Sequence, residues 1–390
     1  MMNAKRRNLS RDKRPVSKPP EITFDILTKF PIEIIYDILT RLPIESIMTC
    51  RIVCKSWNDL TQHPDFIKFQ LGRSNYLPTR IILHDYNVNR LLLLDTEEHK
   101  VKWIPKWLRT QKKLLKGREV MCSCNGLVCI ALEYKLDPVY VFNPITGKCM
   151  LLPSSDSKTH LPTQKIGLGF DPSSDKYKVV RFYKERSKAS RFEILALGES
   201  SWRELRIPHN IPCWHASGLV FWSGTLCWIM INKVDPQDYY KVSILAFDLN
   251  EKKFQIISLP KEFPPPQPHV ELLDLGGHLT VVEHDSNLMK MWRLTGEKVG
   301  EFSVCLEQTY DTHVLWNDRL SYDIIGGLNR EYYLLKVKFW KGRHRVTHIT
   351  QFFPQTVQYV PVNIPNRRFN FIGFKPSFVS PIASSSRLSR

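Results

Sequence analysis

No apolar run in this chain of 390 residues is long enough to cross a bilayer. The most apolar stretch, 219–231, is short and is interrupted by Ser223 and Gly224. The first 20 residues are basic and rich in proline, and they lack the apolar segment of a secretory signal peptide. Nine scattered cysteines do not indicate a disulfide scaffold and fit free thiols in a reducing compartment. We therefore expect an intracellular protein of the nucleus or cytoplasm, with no membrane partner.

Motifs for catalysis, nucleotide binding and metal binding are also missing. There is no G-x-S-x-G, no phosphate-binding P-loop and no H-E-x-x-H. The phrase Gly167-Leu-Gly-Phe170 leads into an Asp-Pro turn and a strand, whereas a nucleotide loop leads into a helix. Cys122, Cys124 and Cys129 have a spacing that matches no common zinc pattern, and we interpret them as core residues. The sequence thus predicts no enzyme, no catalytic residue, no metal and no cofactor.

Basic residues exceed acidic ones, and the net charge is +18. Residues 1–25 hold a dense basic run that cannot form a core, and we expect this tail and residues 382–390 to be disordered. The tail could be a nuclear localisation signal or a nucleic-acid arm, but a solvated tail is favoured. A second basic stretch, Lys102 to Arg118, contains Trp103 and Trp107, a combination that can bind single-stranded nucleic acid. A loop is favoured there, and nucleic-acid binding is the alternative function.

Residues 26–72 predict a small all-α domain of three short helices. Pro31 and Pro43 suit helix starts, where a missing N–H costs nothing. The first helix has apolar residues at helical spacing: Ile34, Ile35, Ile38, Leu39 and Leu42. The third carries Cys50, Val53, Cys54, Trp57 and Leu60 on one face, and Pro64 is expected to stop it. Because so small a unit is marginal alone, a partner or the following domain should cover part of its apolar surface.

Residues 77–381 predict a large all-β domain of short strands bounded by Gly, Pro, Asn and Asp. A repeated strand–turn–strand pattern has its anchors at Leu94, Phe142, Leu197, Phe247, Trp292 and Trp340. The anchors are 48, 55, 50, 45 and 48 residues apart, a period that is typical of propeller blades. Further turns are expected at 125–126, 223–224, 276–277 and 326–327. We predict a β-propeller of about six blades, with a packed β-sheet sandwich as the alternative.

The helical segment resembles the F-box of plant F-box proteins. The likeness lies in Phe30-Pro-Ile-Glu-Ile-Ile35, Ile38-Leu39, Arg41-Leu-Pro43, Val53-Cys-Lys-Ser-Trp57 and Pro64-Asp-Phe66. Phe30 stands where the family usually has leucine, and Thr49 stands where a more apolar residue is usual.

The β region is similar to the F-box-associated, kelch-like domain of the same family. The matching pieces are Asn125-Gly-Leu127, Phe142-Asn-Pro-Ile-Thr-Gly147, Leu152-Pro153, Gly167-Leu-Gly-Phe-Asp171, Tyr177-Lys-Val-Val180, Trp202-Arg203, Gly224-Thr-Leu-Cys-Trp228, Ile244-Leu-Ala-Phe-Asp248 and Phe378-Val-Ser-Pro381. Each piece is short, and their order and spacing carry the likeness.

The resemblance implies a non-catalytic substrate receptor of an SCF-type ubiquitin ligase. Its F-box would dock to a Skp-type adaptor and through it to cullin and RING subunits, while the β domain would bind the protein to be ubiquitylated. The residues implied to form or support the adaptor-facing surface are Pro31, Ile34, Ile35, Leu39, Leu42, Pro43, Val53 and Trp57. Some of these must hold the helices together instead. The sequence identifies neither the target nor the residues that bind it.

Overall fold

The structure is a computed structural model that describes residues 30–382 with several gaps. The gaps are residues 75–79, 86–88, 96–99, 104–111, 133–134, 156–163, 185–189, 207–214, 234–239, 261–269, 276, 285–287, 297–302, 312–319, 329–331, 342–343, 354–357 and 363–368. The two predicted tails therefore lie outside the described residues, apart from Ile382.

Four short helices, and not three, occupy residues 30–74. They are α1 (Ile32–Thr40), α2 (Ile44–Val53), α3 (Lys55–Gln62) and α4 (Pro64–Ser74). The predicted third helix is broken at Cys54, whose backbone is extended and whose Sγ accepts the N–H of Trp57 at 3.5 Å to cap α3. Pro64 opens α4 where a stop was expected, because the first turn of a helix leaves its N–H groups unbonded anyway.

The strands follow in chain order, with one more short helix among them. They are β1 (Arg80–Asp85), β2 (Arg90–Asp95), β3 (Lys100–Trp103), α5 (Lys112–Leu115), β4 (Glu119–Cys124), β5 (Leu127–Ala131), β6 (Tyr140–Phe142), β7 (Cys149–Leu151), β8 (Gln164–Asp171), β9 (Lys176–Lys184), β10 (Ser190–Ala196), β11 (Arg203–Leu205), β12 (His215–Trp222), β13 (Thr225–Lys233), β14 (Tyr240–Asp248), β15 (Phe254–Ser258), β16 (Val270–Leu275), β17 (His278–His284), β18 (Leu288–Thr295), β19 (Ser303–Asp311), β20 (Leu320–Leu328), β21 (Tyr332–Lys341), β22 (His344–Phe353), β23 (Gln358–Val362) and β24 (Phe369–Phe374).

The described strands pair into six antiparallel four-stranded sheets. Blade 1 combines β24 with β1–β3, and blades 2 to 6 are β4–β7, β8–β11, β12–β15, β16–β19 and β20–β23. The first strands of successive blades contact one another in a closed ring, from β24 to β4 and onward to β20, which returns to β24. This arrangement confirms the predicted β-propeller, and the packed sandwich does not form.

The repeat anchors mark the third strand in five blades. Leu94, Phe142, Phe247 and Trp292 lie in β2, β6, β14 and β18, and Leu197 directly follows β10. Trp340 differs, because it lies in the second strand of blade 6.

The glycine pair at 326–327 was expected to form a turn, and this prediction is wrong. The pair lies inside β20, where the register to β21 shifts between Ile324 and Gly326. Glycine suits such an irregularity within a strand as well as it suits a turn.

The turns that join the first and second strands of blades 2 to 6 lie on one face of the propeller, which we call the short-turn face. Two-residue turns at 125–126 and 223–224 join the first and second strands of blades 2 and 4. The connections between blades start and end at the opposite face and are longer, for example 152–163 and 259–269. Since β24 ends at Phe374 on the short-turn face, the segment after it emerges beside the helices.

One hydrophobic cluster joins the helices to blades 1 and 2. From the helices it contains Ile35, Tyr36, Leu39, Ile44, Ile47 and Phe66, and from the β domain it includes Ile82, Leu93, Val128, Phe142, Phe374 and Phe378. The β domain therefore covers one side of the helices, as the size of the helical unit required.

Candidate functional site

Exposed apolar side chains concentrate on the helices. Of the thirteen large hydrophobic residues that are exposed in the described part of the chain, eight lie between residues 30 and 69. We call these the exposed apolar set: Phe30, Ile32, Ile34, Ile38, Leu42, Ile52, Val53 and Phe69. A concentration of this kind on a small unit is typical of a protein-binding surface.

Helix α1 has one buried face and one exposed face, so its apolar residues divide into those that hold the helices in place and those that are open to a partner. Its inner face buries Ile35 and Leu39, which are 5% and 2% exposed and belong to the cluster shared with the β domain. Its outer face presents Ile34 and Ile38, one turn apart, which are 45% and 52% exposed. Leu42, just past the end of the helix, is 37% exposed. Helical geometry places residues i and i+4 together, so the outer three follow one line.

The other predicted residues also divide by exposure. Pro31 and Pro43 are exposed and precede α1 and α2, where their carbonyl groups accept the first helical N–H groups. Val53 is exposed at the end of α2. Trp57 is half-buried and packs against the shared cluster, so its removal would also loosen the helices.

Sequence reasoning missed five members of the exposed apolar set: Phe30, Ile32, Ile38, Ile52 and Phe69. The spacing of Ile34 and Ile38 could have found Ile38, since both lie on one side of a helical wheel. No pattern in the sequence singled out Ile52, because α2 has apolar residues on several sides.

Ion pairs and a buried phenol surround this surface. Asp37 binds Arg41 at 2.8 Å and Arg73 at 3.6 Å, which links α1 to α4. Arg80 of β1 binds Glu45 of α2 at 2.6 Å. Burial and the carboxylates of Asp65 and Glu33 raise the pKa of Tyr36, so its hydroxyl stays neutral. The ion pairs fix the helices relative to one another and to the propeller.

The basic stretch proposed as a nucleic-acid site is described only in part, because 104–111 lie outside the described residues. Residues 112–115 form α5, so this part is a short helix. Arg118 is half-buried, donates to the carbonyl of Leu114 at 2.9 Å and stacks 5.0 Å from the ring of Tyr140. That side chain has a packing role.

The cysteine cluster lies in the interior of blade 2. Cys122 stands opposite Cys129 across β4 and β5, and both are buried with Cys124. The contact with Cys122, together with burial, raises the pKa of Cys129 well above its ordinary value, and burial does the same for Cys124. Within the described residues no group of three or more His, Cys, Asp or Glu side chains has the geometry of a metal site. In the same residues, no helix is both long and apolar enough to cross a membrane.

Two family models match the chain. The model of the F-box associated beta propeller domain matches residues 91–311, and the F-box domain model matches residues 27–69. Among relatives from Arabidopsis thaliana, the F-box protein At3g07870 is 28% identical over 78% of this chain and 72% of its own length. The F-box protein At5g65850 is 26% identical over 81% of this chain and 76% of its own length. A third relative, At4g09190, is 30% identical, and the match spans 56% of this chain and 55% of that one.

Proposed function

Because the chain belongs to the family of plant F-box proteins with an F-box-associated β-propeller domain, we propose that it is the substrate-recognition subunit of an SCF-type ubiquitin ligase. The observation that carries this proposal is the exposed apolar set on helices whose opposite side is fixed to the propeller. The helices would bind a Skp-type adaptor through this set, and the adaptor would connect the chain to cullin and RING subunits.

The adaptor surface would combine members of the predicted set with residues that the structure adds. Ile34, Leu42 and Val53 would contact the adaptor directly, together with Ile38 and Ile52. Ile35 and Leu39 would act indirectly, since they are buried in the cluster that holds α1 in place. Fully desolvated apolar anchors of this type contribute most of the affinity in protein interfaces.

The propeller would hold the target on the face that carries the long connections between blades. That face lies opposite the short-turn face, where the helices pack. Loops on a rigid scaffold are the usual place for recognition residues. The chain would make or break no bond itself, because binding alone places a target lysine near the conjugating enzyme at high effective concentration.

A co-purification experiment tests the adaptor part of the proposal. A tagged wild-type chain in plant cells should recover a Skp-type adaptor with cullin and RING subunits. Leu42→Asp should recover none of the three, because it places a charge in the apolar surface. Leu288→Asp is the matched control, since Leu288 is 38% exposed against 37% for Leu42 and lies in blade 5. Recovery of the adaptor by a folded Leu42→Asp chain would refute the proposal.

A second experiment addresses the target. The Leu42→Asp chain retains the propeller but should not deliver a bound protein for modification, so a target should accumulate on it. Quantitative mass spectrometry should find proteins enriched on Leu42→Asp over wild type. If the same proteins bind both chains equally and are not stabilised in cells that contain Leu42→Asp, the receptor function is contradicted.

A further inference from the structure

The segment that follows the last strand joins three parts of the molecule. Residues 375–382, which we call the C-terminal strap, leave β24 of blade 1 without forming a strand. The strap runs past the 125–126 turn of blade 2 and reaches the helices. Four of its residues, Ser377, Phe378, Val379 and Pro381, are buried although no regular structure holds them.

Asn143 of blade 2 binds the strap through its side-chain amide. Its Nδ2 donates to the carbonyl of Ser377 at 2.9 Å and to that of Val379 at 2.7 Å. Its Oδ1 accepts the N–H groups of Ile145 and Thr146, so one buried side chain fixes both a blade turn and the strap. The hydroxyl of Ser377 adds a bond to the carbonyl of Asn125 at 2.5 Å.

Phe378 and Pro376 connect the strap to the helices. The ring centroid of Phe378 lies 6.2 Å from that of Phe66 in α4, and the guanidinium carbon of Arg51 in α2 lies over the Phe378 ring, 5.2 Å from its centroid. The side chain of Gln70 in α4 donates to the carbonyl of Pro376 at 3.2 Å. The strap thus binds two helices on one side and a propeller blade on the other.

We propose that the strap is a positioning element for ubiquitin transfer, which fixes the direction in which the propeller presents lysines to the conjugating enzyme of the assembled ligase. This inference rests on the proposed function. Ser377, Phe378 and Val379 are buried within the chain, so they would act by orientation and not by contact with the adaptor. Orientation matters because a displacement of about 1 Å can change the rate of a positioned reaction by as much as about a hundredfold.

The substitution Asn143→Asp tests the strap with little change of shape. The carboxylate keeps the acceptor that caps the blade turn, but it places a second acceptor against two strap carbonyls. Asn250→Asp is the matched control, because Asn250 is an exposed turn residue of blade 4 that uses its oxygen as an acceptor. Phe378→Ala releases the strap from the helices and serves as an independent second variant.

Hydrogen exchange of the full-length chains provides the first readout. The exchange rates of α4 amides should rise by roughly tenfold or more in both strap variants. Asn143→Asp loses two buried hydrogen bonds to the strap, and Phe378→Ala loses the ring contacts with Phe66 and Arg51. Asn250→Asp should match wild type. Equal exchange in all four chains would overturn the inference, whether or not the adaptor binds.

The second readout is the set of the chain's own lysines that is modified in a reconstituted ligase. All four chains should bind the adaptor with affinities within about twofold, because the exposed apolar set is unchanged. In the strap variants the ligase should modify lysines that stay unmodified in wild type, and the modification rates at those lysines should change by roughly fivefold or more. An unchanged set and unchanged rates would overturn the positioning role. Failure of the wild-type chain to bind the adaptor would refute the proposed function, and the exchange data would still decide whether the strap joins the helices to the propeller.

Discussion

Neighbouring residues of α1 differ in what a substitution should change. Ile34 and Ile38 face outward, whereas Ile35 and Leu39 belong to the cluster shared with the propeller. All four have the same apolar character in the sequence, so only the position of the propeller distinguishes them. Exposure therefore separates the residues proposed to bind the adaptor from those that support them, within a single turn.

Substitution of Ile38 and of Ile35 by alanine should give opposite results. Ile38→Ala should weaken adaptor binding by about 1 kcal/mol or more, as expected for an interface anchor, and leave thermal stability nearly unchanged. Ile35→Ala should lower the free energy of unfolding by about 2 to 5 kcal/mol, because it leaves a cavity in a shared core. Calorimetric titration and denaturant unfolding of both variants check this, and the reverse pattern would contradict the assignment.

A buried ion pair links blades 3 and 4. Lys178 binds Asp171 at 2.6 Å and donates to the carbonyl of Leu249 at 2.8 Å. Burial alone would raise the pKa of Asp171, but hydrogen bonds from Lys178, Ser174 and Ser173 outweigh it and lower the pKa well below its ordinary value. The carboxylate of Asp171 is thus ionised at neutral pH, and both of its oxygens accept hydrogen bonds.

Removal of one partner should therefore be costly. Asp171→Ala should lower the free energy of unfolding by about 3 to 5 kcal/mol, because it leaves the ammonium group of Lys178 buried without its carboxylate. Since the folded-state pKa is depressed, this stabilisation is present above about pH 4 and is lost as the pH falls. Urea unfolding at pH 7 and pH 3 checks the sign. A difference between wild type and Asp171→Ala that grows on acidification would contradict it.

At the scale of elements, the packing of strand β8 against blade 4 requires glycine at two positions of the Gly167-Leu-Gly-Phe-Asp171 segment. A Cβ at Gly169 would lie 2.5 Å from Leu249 and 2.7 Å from Phe221, and one at Gly167 would lie 2.9 Å from Leu219. These neighbours belong to or adjoin blade 4, so the glycines allow blades 3 and 4 to approach closely.

Two alanine substitutions compare this packing with an open site. Gly169→Ala should lower the free energy of unfolding by about 1 to 3 kcal/mol through overpacking. Gly72→Ala in α4 has open space around it and should raise stability by about 0.5 to 1 kcal/mol, because alanine favours helix. Thermal unfolding of the two variants measures the direction of both changes in stability. A destabilised Gly72→Ala chain together with an unaffected Gly169→Ala chain would refute the packing argument.

The elements that sequence analysis predicted well depend on local signals. Pro31 and Pro43 mark the starts of α1 and α2, and the turns at 125–126 and 223–224 occur as expected. The missed features depend on contacts distant in sequence. Cys54 is extended where helical periodicity continued, and 326–327 lie within a strand because neighbouring strands continue past them. Local propensity is weaker than tertiary context at such positions.

At the scale of the whole molecule, helices and propeller form one packed unit. Blade 1 closes with β24, the last strand in the described part of the chain, so strands far apart in sequence complete one sheet. The repeat pattern predicted blades, but it contained no signal that the final strand returns to the first blade. The exposed and buried parts of the candidate site follow from this packing and could not be assigned beforehand.

The core shared by the helices and the propeller predicts what happens when the helices are deleted. Deletion of residues 30–70 would expose apolar residues of blades 1 and 2 and of the strap, among them Ile82, Leu93 and Phe378. The truncated chain should unfold at lower temperature, bind a hydrophobic dye and aggregate, whereas full-length Leu42→Asp should behave like wild type. Calorimetry and light scattering compare the two. A truncated chain as stable and monodisperse as wild type would show that the propeller core is complete without the helices.

The central claim is that the helices dock an adaptor through their exposed apolar set, and calorimetric titration of the pure chain with a recombinant Skp-type adaptor tests it most directly. Wild type and Leu288→Asp should bind one adaptor per chain with equal affinity. Leu42→Asp should keep the wild-type unfolding temperature and lose at least about a hundredfold in affinity, since a buried unpaired charge costs several kcal/mol. No binding by wild type, or equal binding by folded Leu42→Asp, would contradict the account.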